Sequence, residues 1–426
     1  MKKTFSTITT NKVIRQLQHF KPELLMPAGN LEKLETAFRY GADACYIGAP
    51  NFSLRYRENQ VKESDIGKAI KLARKLGKKI YVTLNIYSHN DSIKSIIKHI
   101  KYLSKVKPDA IIFSDPGMYQ LIKKYYPKAE LHLSVQATAT NYETVKFWRD
   151  RGISRVILAR ELSLKEIAQI HKEVPEIELE TFVHGAMCMS YSGRCLLSNY
   201  LTGRDANRGD CAHTCRWNYK VKEYVLEEGK RKGEYFPIYE NQHGMHILSS
   251  QDMCLIEHIK KIIKAGVISL KIEGRAKNVS YVATITRAYR RAIDDAVAGK
   301  SFSKELLKEV KAVSNRGFCT GFYFGKPGLE HHQTFANRTE GTHGFIGIVK
   351  KFDKKNMLAT IEVKGQIKLG DNLEILTPKK IIKQKVKELY NIAQKPIKIY
   401  HPGLKNFAML KINQVIDTGD ILRKKL

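Results

Sequence analysis

Short apolar segments alternate with amphipathic segments from residue 22 onwards. The apolar segments are rich in β-branched residues and predict buried strands at residues 23–28, 44–48, 79–86, 110–115, 130–137, 155–160, 177–184 and 268–273. Helical spacing of apolar residues predicts helices between them, including residues 31–40, 65–76, 92–105, 116–126 and 163–174. The last of these helices opens with Ser163 and, three residues later, Glu166, which is the sequence of a capping box.

Eight strands separated by helices predict an α/β fold of the TIM type, a (β/α)8 barrel. An open doubly wound sheet has the same alternation, but no G-x-G-x-x-G turn follows the first strand. The interval at about 185–267, between the seventh and eighth strands, is far longer than an ordinary connection. Function is usually built on long loops at the C-terminal face of a barrel, so this insertion is the first place to seek a site.

The pattern changes near residue 341. Short strands are predicted at residues 345–350, 358–363, 372–376, 407–412 and 421–423, separated by turns such as Leu369-Gly370-Asp371. This is typical of a small all-β barrel. We therefore predict two domains, a TIM-like barrel over residues 1–330 and a small basic β-barrel over residues 341–426, joined by a Gly/His/Thr-rich linker.

The composition narrows the class of protein. The chain of 426 residues is 43% hydrophobic, has no apolar run of the roughly 18 residues that span a membrane, and lacks an apolar segment near its N-terminus. We therefore predict a cytoplasmic protein with no membrane partner, in which thiols stay reduced. A net charge of +32 favours a polyanionic partner such as nucleic acid over a merely lysine-rich surface. The basic run at residues 378–387 makes the C-terminal domain a candidate RNA-holding module; the alternative is that it only covers the larger domain.

Five of the seven cysteines lie in the insertion, among glycines and small polar residues. Only the pair Cys211 and Cys215, with three residues between them, has the spacing of a zinc knuckle. Four widely spaced thiolates therefore favour an iron–sulfur cluster. Zinc and redox or structural thiols remain alternatives, and the C-x3-C-x2-C triplet of radical-SAM enzymes is absent. The predicted ligands are Cys188, Cys195, Cys211 and Cys254, with Cys215 as the alternative ligand. Cys45 and Cys319 are predicted to be structural.

Polar residues follow several predicted strands and should converge on one pocket, because the C-terminal ends of barrel strands meet at one face. They are Asn85, Asp115, Gln136, Arg160, His184, Glu273 and Arg275. The candidate substrate-binding residues are Arg55, Arg160, Arg275, Gln136 and Asn85, with Arg57 beside the first of these. Arginine pairs with carboxylate or phosphate through a planar fork of donors, although a surface ion pair is the alternative for each one.

His184 and Glu273 are the candidate catalytic residues. His184 lies four residues before the first clustered cysteine, so ligation, proton donation and turn capping all remain open for it. The chain has no H-E-x-x-H and no G-x-S-x-G motif, which excludes the common hydrolytic signatures. Gly299-Lys300-Ser301 is similar to the end of a P-loop, but no strand precedes it and the first glycine is missing.

The block from residue 180 to residue 198 closely resembles the signature of peptidase family U32. The matching positions are Glu180, Phe182, Gly185, Ala186, Cys188, Gly193, Cys195 and Ser198. Further resemblance lies at residues 25–29, 52–55, 134–138, 271–275 and 315–318, so it covers nearly the whole chain.

This resemblance implies oxygen-independent hydroxylation of tRNA, forming 5-hydroxyuridine at the wobble position, with a cysteine-bound 4Fe–4S cluster and prephenate as the hydroxyl donor. The dianionic carboxylates of such a donor would suit the arginines. Sister branches of the family imply the alternatives of ribosomal RNA hydroxylation or ubiquinone synthesis. A peptidase or collagenase and a noncatalytic Fe–S RNA-binding accessory protein are further alternatives. The older peptidase label came without identified catalytic residues, and any electron-transfer partner remains unknown.

Overall fold

The computed structural model describes residues 21–58, 60–188, 190–191, 194–217, 250–327, 340–403 and 407–426, together with four two-residue strands between residues 226 and 245. The sequence predictions for the N-terminal 20 residues, for Gly193, for the linker at residues 328–339 and for much of the insertion lie outside these ranges. Elements are numbered below in chain order.

Eight parallel strands form the first domain. They are β1 (Glu23–Pro27), β2 (Ala44–Gly48), β3 (Lys79–Leu84), β4 (Ala110–Phe113), β5 (Leu131–Leu133), β6 (Arg155–Ile157), β7 (Glu178–Ala186) and β13 (Val267–Ile272). Each strand pairs with its neighbour in sequence, and β13 pairs in parallel with both β7 and β1. This double pairing closes the sheet, so the predicted TIM-type barrel is confirmed.

Apart from the short helix at residues 197–202, which lies in the insertion, the helices cover the barrel because their apolar faces pack against it. The helices are α1 (Leu31–Arg39), α2 (Glu63–Lys75), α3 (Ile93–Val106), α4 (Pro116–Tyr125), α5 (Tyr142–Arg149), α6 (Leu164–Glu173), α7 (Leu197–Thr202), α8 (Ile259–Lys264), α9 (Val279–Val297) and α10 (Lys304–Lys311). The predicted capping box is present, since Ser163 N donates to the Glu166 carboxylate at 2.8 Å and Glu166 N donates to Ser163 Oγ at 3.3 Å. None of the described helices is long and apolar enough to cross a membrane.

The insertion after β7 leaves the barrel and then returns to it as a strand. Its short strands are β8 (Leu226–Glu227), β9 (Tyr235–Phe236), β10 (Glu240–Asn241), β11 (Gly244–Met245) and β12 (Asp252–Cys254). Strand β12 pairs antiparallel with β7, and β14 (Phe318–Cys319) adds in parallel to β12. The first part of the insertion packs against barrel loops: Gly209 has φ +92, and a Cβ there would lie 2.7 Å from the Ser53 carbonyl oxygen. A larger residue would therefore lift this segment from the barrel.

The second domain is entirely antiparallel. Its strands are β15 (His343–Asp353), β16 (Leu358–Val363), β17 (Ile367–Lys368), β18 (Asn372–Leu376), β19 (Ile381–Lys385), β20 (Leu389–Asn391), β21 (Ile399–Tyr400), β22 (Phe407–Lys411) and β23 (Ile421–Lys425). Seven of them form one sheet in the order β19, β18, β23, β15, β16, β22, β20. The all-β character predicted for this region is confirmed. The basic run contains β19, in which Ile382 and Gln384 are buried while Lys383 and Lys385 are exposed.

The sheet of the second domain docks on α1 and α9 of the barrel. Tyr40, Val279 and Ala283 pack against Ile348, Leu376 and Ile421 in one buried apolar cluster. The Tyr40 hydroxyl also donates to the Leu376 carbonyl oxygen at 2.6 Å. The apolar cluster and this buried hydrogen bond together make a packed interface between the two domains.

Candidate functional site

One cavity opens at the C-terminal end of the barrel, beneath the insertion. The volume of this cavity is about 130 Å³. Strand residues such as Thr83, Ile157 and Phe182 line it together with residues from the loops that follow the strands. The insertion supplies the remaining wall, so barrel and insertion build the site together.

Four of the clustered cysteines line this cavity: Cys188, Cys195, Cys211 and Cys215. Short-range hydrogen bonds hold the segments that carry them. Ser198 Oγ accepts from Ala212 N at 2.9 Å and donates to the Arg204 carbonyl oxygen at 2.8 Å, which ties the start of α7 to the segment before Cys215. The backbone N–H of His213 points at the Cys211 sulfur at 3.4 Å, a contact that favours the thiolate form of a ligand.

The donor set in the cavity suits a metal cluster. Four thiols are the complement that a 4Fe–4S cluster takes from a protein, and soft thiolates select iron–sulfur clusters and zinc over hard cations. Within the described ranges, no three His, Cys, Asp or Glu side chains already lie at mutual metal-binding distance. The four thiols fit a 4Fe–4S cluster in number and chemistry, because its thiolate ligands lie further apart than those of a single metal ion.

The structure does not bring Cys254, the predicted fourth ligand, to this cavity. Cys254 ends β12, where it pairs with His184 of β7, and its buried thiol lies 3.9 Å from the Tyr289 hydroxyl. Burial raises the pKa of this thiol to about 11. Cys215, the predicted alternative, lines the cavity in its stead. The reason is the return of the insertion to the barrel as a strand, which carries Cys254 into the core.

His184 is not brought into the cavity either. A β-bulge between β13 and β7 pairs Lys271 with Phe182 but the adjacent Ile272 with His184. The extra residue breaks the alternation of side chains, so Phe182 lines the cavity while His184 packs beside Tyr289, with Nδ1 3.3 Å from its hydroxyl. Burial lowers the pKa of His184 to about 3, which keeps the imidazole neutral. This surrounding is that of a core histidine.

Glu273, the other candidate catalytic residue, lines the cavity. Its Oε1 lies 2.7 Å from Nη1 of Arg55, whose φ of +56 is a left-handed conformation that is rare outside glycine. The backbone beside Glu273 is approached closely by Gly185, which has φ +106 and where a Cβ would lie 2.7 Å from the Glu273 carbonyl oxygen. This explains why a glycine occupies that position of the U32-like motif.

Two predicted arginines line the cavity with different partners. Arg160 donates from Nη1 to the Ala186 carbonyl oxygen at 2.7 Å and its guanidinium lies 3.9 Å from the centre of the Phe182 ring. The Nε of Arg160 is buried and has no hydrogen-bond partner among the residues that the structure describes. Arg275 donates to Ser53 Oγ at 3.2 Å. The buried Nε of Arg160 favours an anion in the cavity, because an unpaired buried donor costs free energy until it is satisfied.

Asn85 also lines the cavity, and its Nδ2 donates to Ser134 Oγ at 3.1 Å. Three other predicted residues serve elsewhere. Asp115 accepts from Gly117 N at 2.7 Å and caps α4, whereas exposed Arg57 pairs with Asp210 of the insertion at 2.8 Å. Gln136 is fully buried and does not line the cavity, and neither of its side-chain polar atoms has a hydrogen-bond partner in the described part of the chain.

The two remaining cysteines lie outside the cavity. Cys45 is fully buried in β2, as expected of a core residue. Cys319 is half-buried in β14, and burial raises the pKa of its thiol.

Two cavity residues were missed by the sequence reasoning. Lys271 lines the cavity with its Nζ 2.7 Å from Oε1 of Glu180, and burial lowers its pKa. Its spacing from Glu273 and Arg275, two and four residues on, was a signal, because alternate residues of a strand share a face. His213 also lines the cavity, and its place between two clustered cysteines was the corresponding signal.

Two family models match this chain, one over the barrel domain and one over the second domain. The model of peptidase family U32 matches residues 29–333, and the model of the peptidase family U32 C-terminal domain matches residues 341–423.

Three curated proteins illustrate the range of similar chains. The tRNA hydroxylation protein P of Escherichia coli (strain K12) is 42% identical over 398 residues, covering 84% of this chain and 87% of that protein. An uncharacterized protease of Methanocaldococcus jannaschii is 36% identical over 407 residues, covering 93% and 97%. The 23S rRNA 5-hydroxycytidine synthase of Escherichia coli (strain K12) is 40% identical over 373 residues, covering 84% of this chain and 53% of that protein.

Proposed function

The chain belongs to peptidase family U32, and we propose that it is an RNA-modifying enzyme that hydroxylates uridine at the wobble position of tRNA without molecular oxygen. The observation that carries this proposal is the single cavity that combines four thiols with arginine, lysine and one carboxylate. Support for RNA as the substrate comes from relatives named for tRNA and rRNA hydroxylation. The charge of +32 supports a polyanionic substrate as well.

Cys188, Cys195, Cys211 and Cys215 would hold a 4Fe–4S cluster, since all four line the cavity. When bound, such a cluster supplies electron transfer or a Lewis-acidic iron at the wall of the cavity. The contact of His213 N with the Cys211 sulfur at 3.4 Å supports a thiolate at that position. Irregular backbone around these cysteines lets them adjust to the cluster.

The cations of the cavity would hold a small dicarboxylate such as prephenate, the proposed hydroxyl donor. Arg160 offers its Nε, which has no hydrogen-bond partner among the described residues, and Arg275 lines the same cavity. Charge-assisted hydrogen bonds to a carboxylate are roughly twice as strong as those between neutral groups. The donor would thus be held beside the thiols.

Glu273 is the only carboxylate that lines the cavity among the residues that the structure describes. The ion pair with Arg55 at 2.7 Å favours its charged form. A charged carboxylate facing the cavity can accept the proton that leaves the reacting carbon of the base, which is the role of a general base. His184 is not given this role, because its imidazole lies in the core.

The proposal is tested by mass spectrometry of nucleosides from total tRNA of a deletion strain. We expect loss of 5-hydroxyuridine derivatives, restored by the wild-type chain and by Cys319→Ala but not by Cys188→Ala. Cys319→Ala is the matched control because this cysteine lies outside the cavity. Unchanged tRNA nucleosides would overturn the assignment to tRNA, and the nucleosides of ribosomal RNA would then be measured. If these are also unchanged and the purified protein cleaves peptides, the peptidase alternative is favoured.

A further inference from the structure

A second, shallower cavity opens beside the cysteine cavity. It has a volume of about 340 Å³ and is lined by Tyr87, Arg194, Leu196 and Asn207. The side chain of Asn207 connects the two cavities, since its Nδ2 donates to the carbonyl oxygen of Cys195 at 3.4 Å. The segment at Cys195 therefore contributes to both cavities.

The second cavity has a preformed planar surface. The guanidinium carbon of Arg194 lies 5.0 Å from the centre of the Tyr87 ring. The ring is fixed at both ends, because its hydroxyl donates to the Gln136 carbonyl oxygen at 2.8 Å and the backbone N–H of Tyr87 donates to the Asn207 carbonyl oxygen at 3.2 Å. Rigid aromatic and guanidinium planes bind flat ligands at little cost in side-chain entropy.

The other two lining residues complete a surface suited to a flat, polar-edged molecule. Leu196 is 72% exposed, which is unusual for an apolar side chain beside a cavity. The Oδ1 atom of Asn207 is buried and has no hydrogen-bond partner within the part of the chain that the structure describes. The apolar side chain of Leu196 suits the flat face of a nucleobase, and the amide oxygen of Asn207 suits an N–H group at its edge.

Further exposed aromatic side chains lie in the described part of the insertion. Tyr200 is 85% exposed and lies one helical turn after Leu196, because Tyr200 N donates to the Leu196 carbonyl oxygen at 2.9 Å. Tyr191 and Trp217 are 48% and 40% exposed. Tyr200 therefore offers a second aromatic ring to solvent close to Leu196.

We propose that Tyr87, Arg194, Leu196 and Asn207 form a nucleobase subsite, which holds an unpaired RNA nucleotide next to the nucleotide that enters the cysteine cavity. This inference rests on the proposed function. When a base leaves its stack to enter an enzyme cavity, the neighbouring base loses its stacking partner. An aromatic ring at the entrance of the cavity can stack on that neighbouring base instead. The excess of positive charge favours RNA over a protein partner as the occupant.

Binding of a synthetic anticodon stem–loop to the full-length protein tests the subsite. Stacking of one base is worth about 1–3 kcal/mol, so Arg194→Ala and Tyr87→Leu should weaken binding by roughly 5- to 150-fold. Arg194→Lys should lose most of the affinity too, because an ammonium group keeps the charge but cannot stack. A fully paired RNA duplex, with no base free to stack, should bind wild type and variants alike.

The matched control is Arg151→Ala, which also removes an exposed arginine from above an aromatic ring. The guanidinium of Arg151 lies 3.4 Å from the centre of the half-exposed Phe147 ring on α5, away from both cavities. This variant should bind the stem–loop like wild type. The thermal unfolding midpoint, measured for every variant, separates lost recognition from lost folding.

Wild-type affinity of Arg194→Ala for the stem–loop would overturn the subsite. Wild-type affinity of Arg194→Lys would assign this residue to a phosphate and overturn base stacking. If Arg194→Ala keeps its RNA affinity but no longer binds a protein that wild type captures, the surface belongs to a protein partner and the inference is again overturned. Each of these results leaves tRNA modification by wild type intact, whereas failure of the proposed function would show as wild type that neither modifies nor binds RNA.

Discussion

The Nζ atom of Lys271 lies 2.7 Å from Oε1 of Glu180, and the two residues are 3% and 0% exposed. The pair lies inside the barrel beneath the thiols. Glu180 Oε2 is also 3.2 Å from Nη1 of Arg155 and accepts from Ser269 Oγ at 3.1 Å. Glu180 is therefore the shared counter-charge of Lys271 and Arg155 in one buried ionic network.

Removing the carboxylate of Glu180 should destabilise the fold strongly. Glu180→Gln leaves the buried Lys271 without its counter-charge, and breaking a buried pair in this way costs about 3–5 kcal/mol. Glu178→Gln is the matched control, because Glu178 pairs with the same Arg155 but its side chain is 46% exposed, and it should cost at most about 1 kcal/mol. Urea unfolding measures both values, and equal losses would contradict the network.

Replacement of Cys215 should abolish the proposed 4Fe–4S cluster, whereas replacement of Cys254 should not. Cys215→Ser removes a thiol of the cavity, and Cys254→Ser changes a core thiol near Tyr289. After anaerobic reconstitution, we expect iron content and cluster absorbance to be lost in the first variant and retained in the second. The reverse outcome would restore Cys254 as the fourth ligand and require β12 to rearrange.

Loss of the Arg160 guanidinium should weaken binding of a dicarboxylate donor. A hydrogen bond to a charged group contributes about 1.5–3 kcal/mol, so KM for the donor in Arg160→Ala should rise by roughly 10- to 150-fold. Arg74→Ala, on the exposed face of α2, should leave KM unchanged. Steady-state kinetics with saturating tRNA measures this, and an unchanged KM in Arg160→Ala would remove Arg160 from the donor site.

The stability of the protein should fall in mild acid because of His184. Burial lowers the pKa of His184 from 6.5 to about 3, so the unfolded chain binds this proton at a higher pH than the folded chain. Stability should therefore decrease as pH falls from about 6.5 to about 3, by about 1.4 kcal/mol per pH unit from this group.

His184→Gln removes that contribution. Urea unfolding at pH 7 and pH 5 measures the pH dependence, and the drop in unfolding free energy between the two values should be smaller for the variant than for wild type. An equal drop would show that the pKa of His184 does not change on folding. That result would place its imidazole in contact with water or a carboxylate.

Much of the barrel follows from local pattern. The eight strands were predictable because parallel strands buried on both sides are continuous apolar runs. The helix capped by Ser163 was predictable because a capping box is a local signal. Arg55, Arg160, Glu273 and Arg275 were found in the same way, since residues that follow barrel strands meet at one end.

Two predicted site residues, His184 and Cys254, do not line the cavity, because the direction of their side chains depends on distant backbone. A single bulge in the pairing of β7 with β13 turns His184 into the core. The residues next to His184 in the sequence do not predict this bulge. Strand β12 pairs antiparallel with the end of β7, and this pairing places Cys254 opposite His184. Such pairing partners lie far apart in the chain.

The amino-acid sequence by itself determined the succession of strands and helices, the all-β character of the second domain, the charge of the chain and the presence of a cysteine-rich insertion. These depend on local propensity, burial pattern and composition. The tertiary structure alone decided which four cysteines line one cavity, that Lys271 and His213 join them, and that Tyr87 of the barrel meets Arg194 of the insertion. The physical reason is that long-range pairing and packing, not local spacing, fix the direction in which each side chain points.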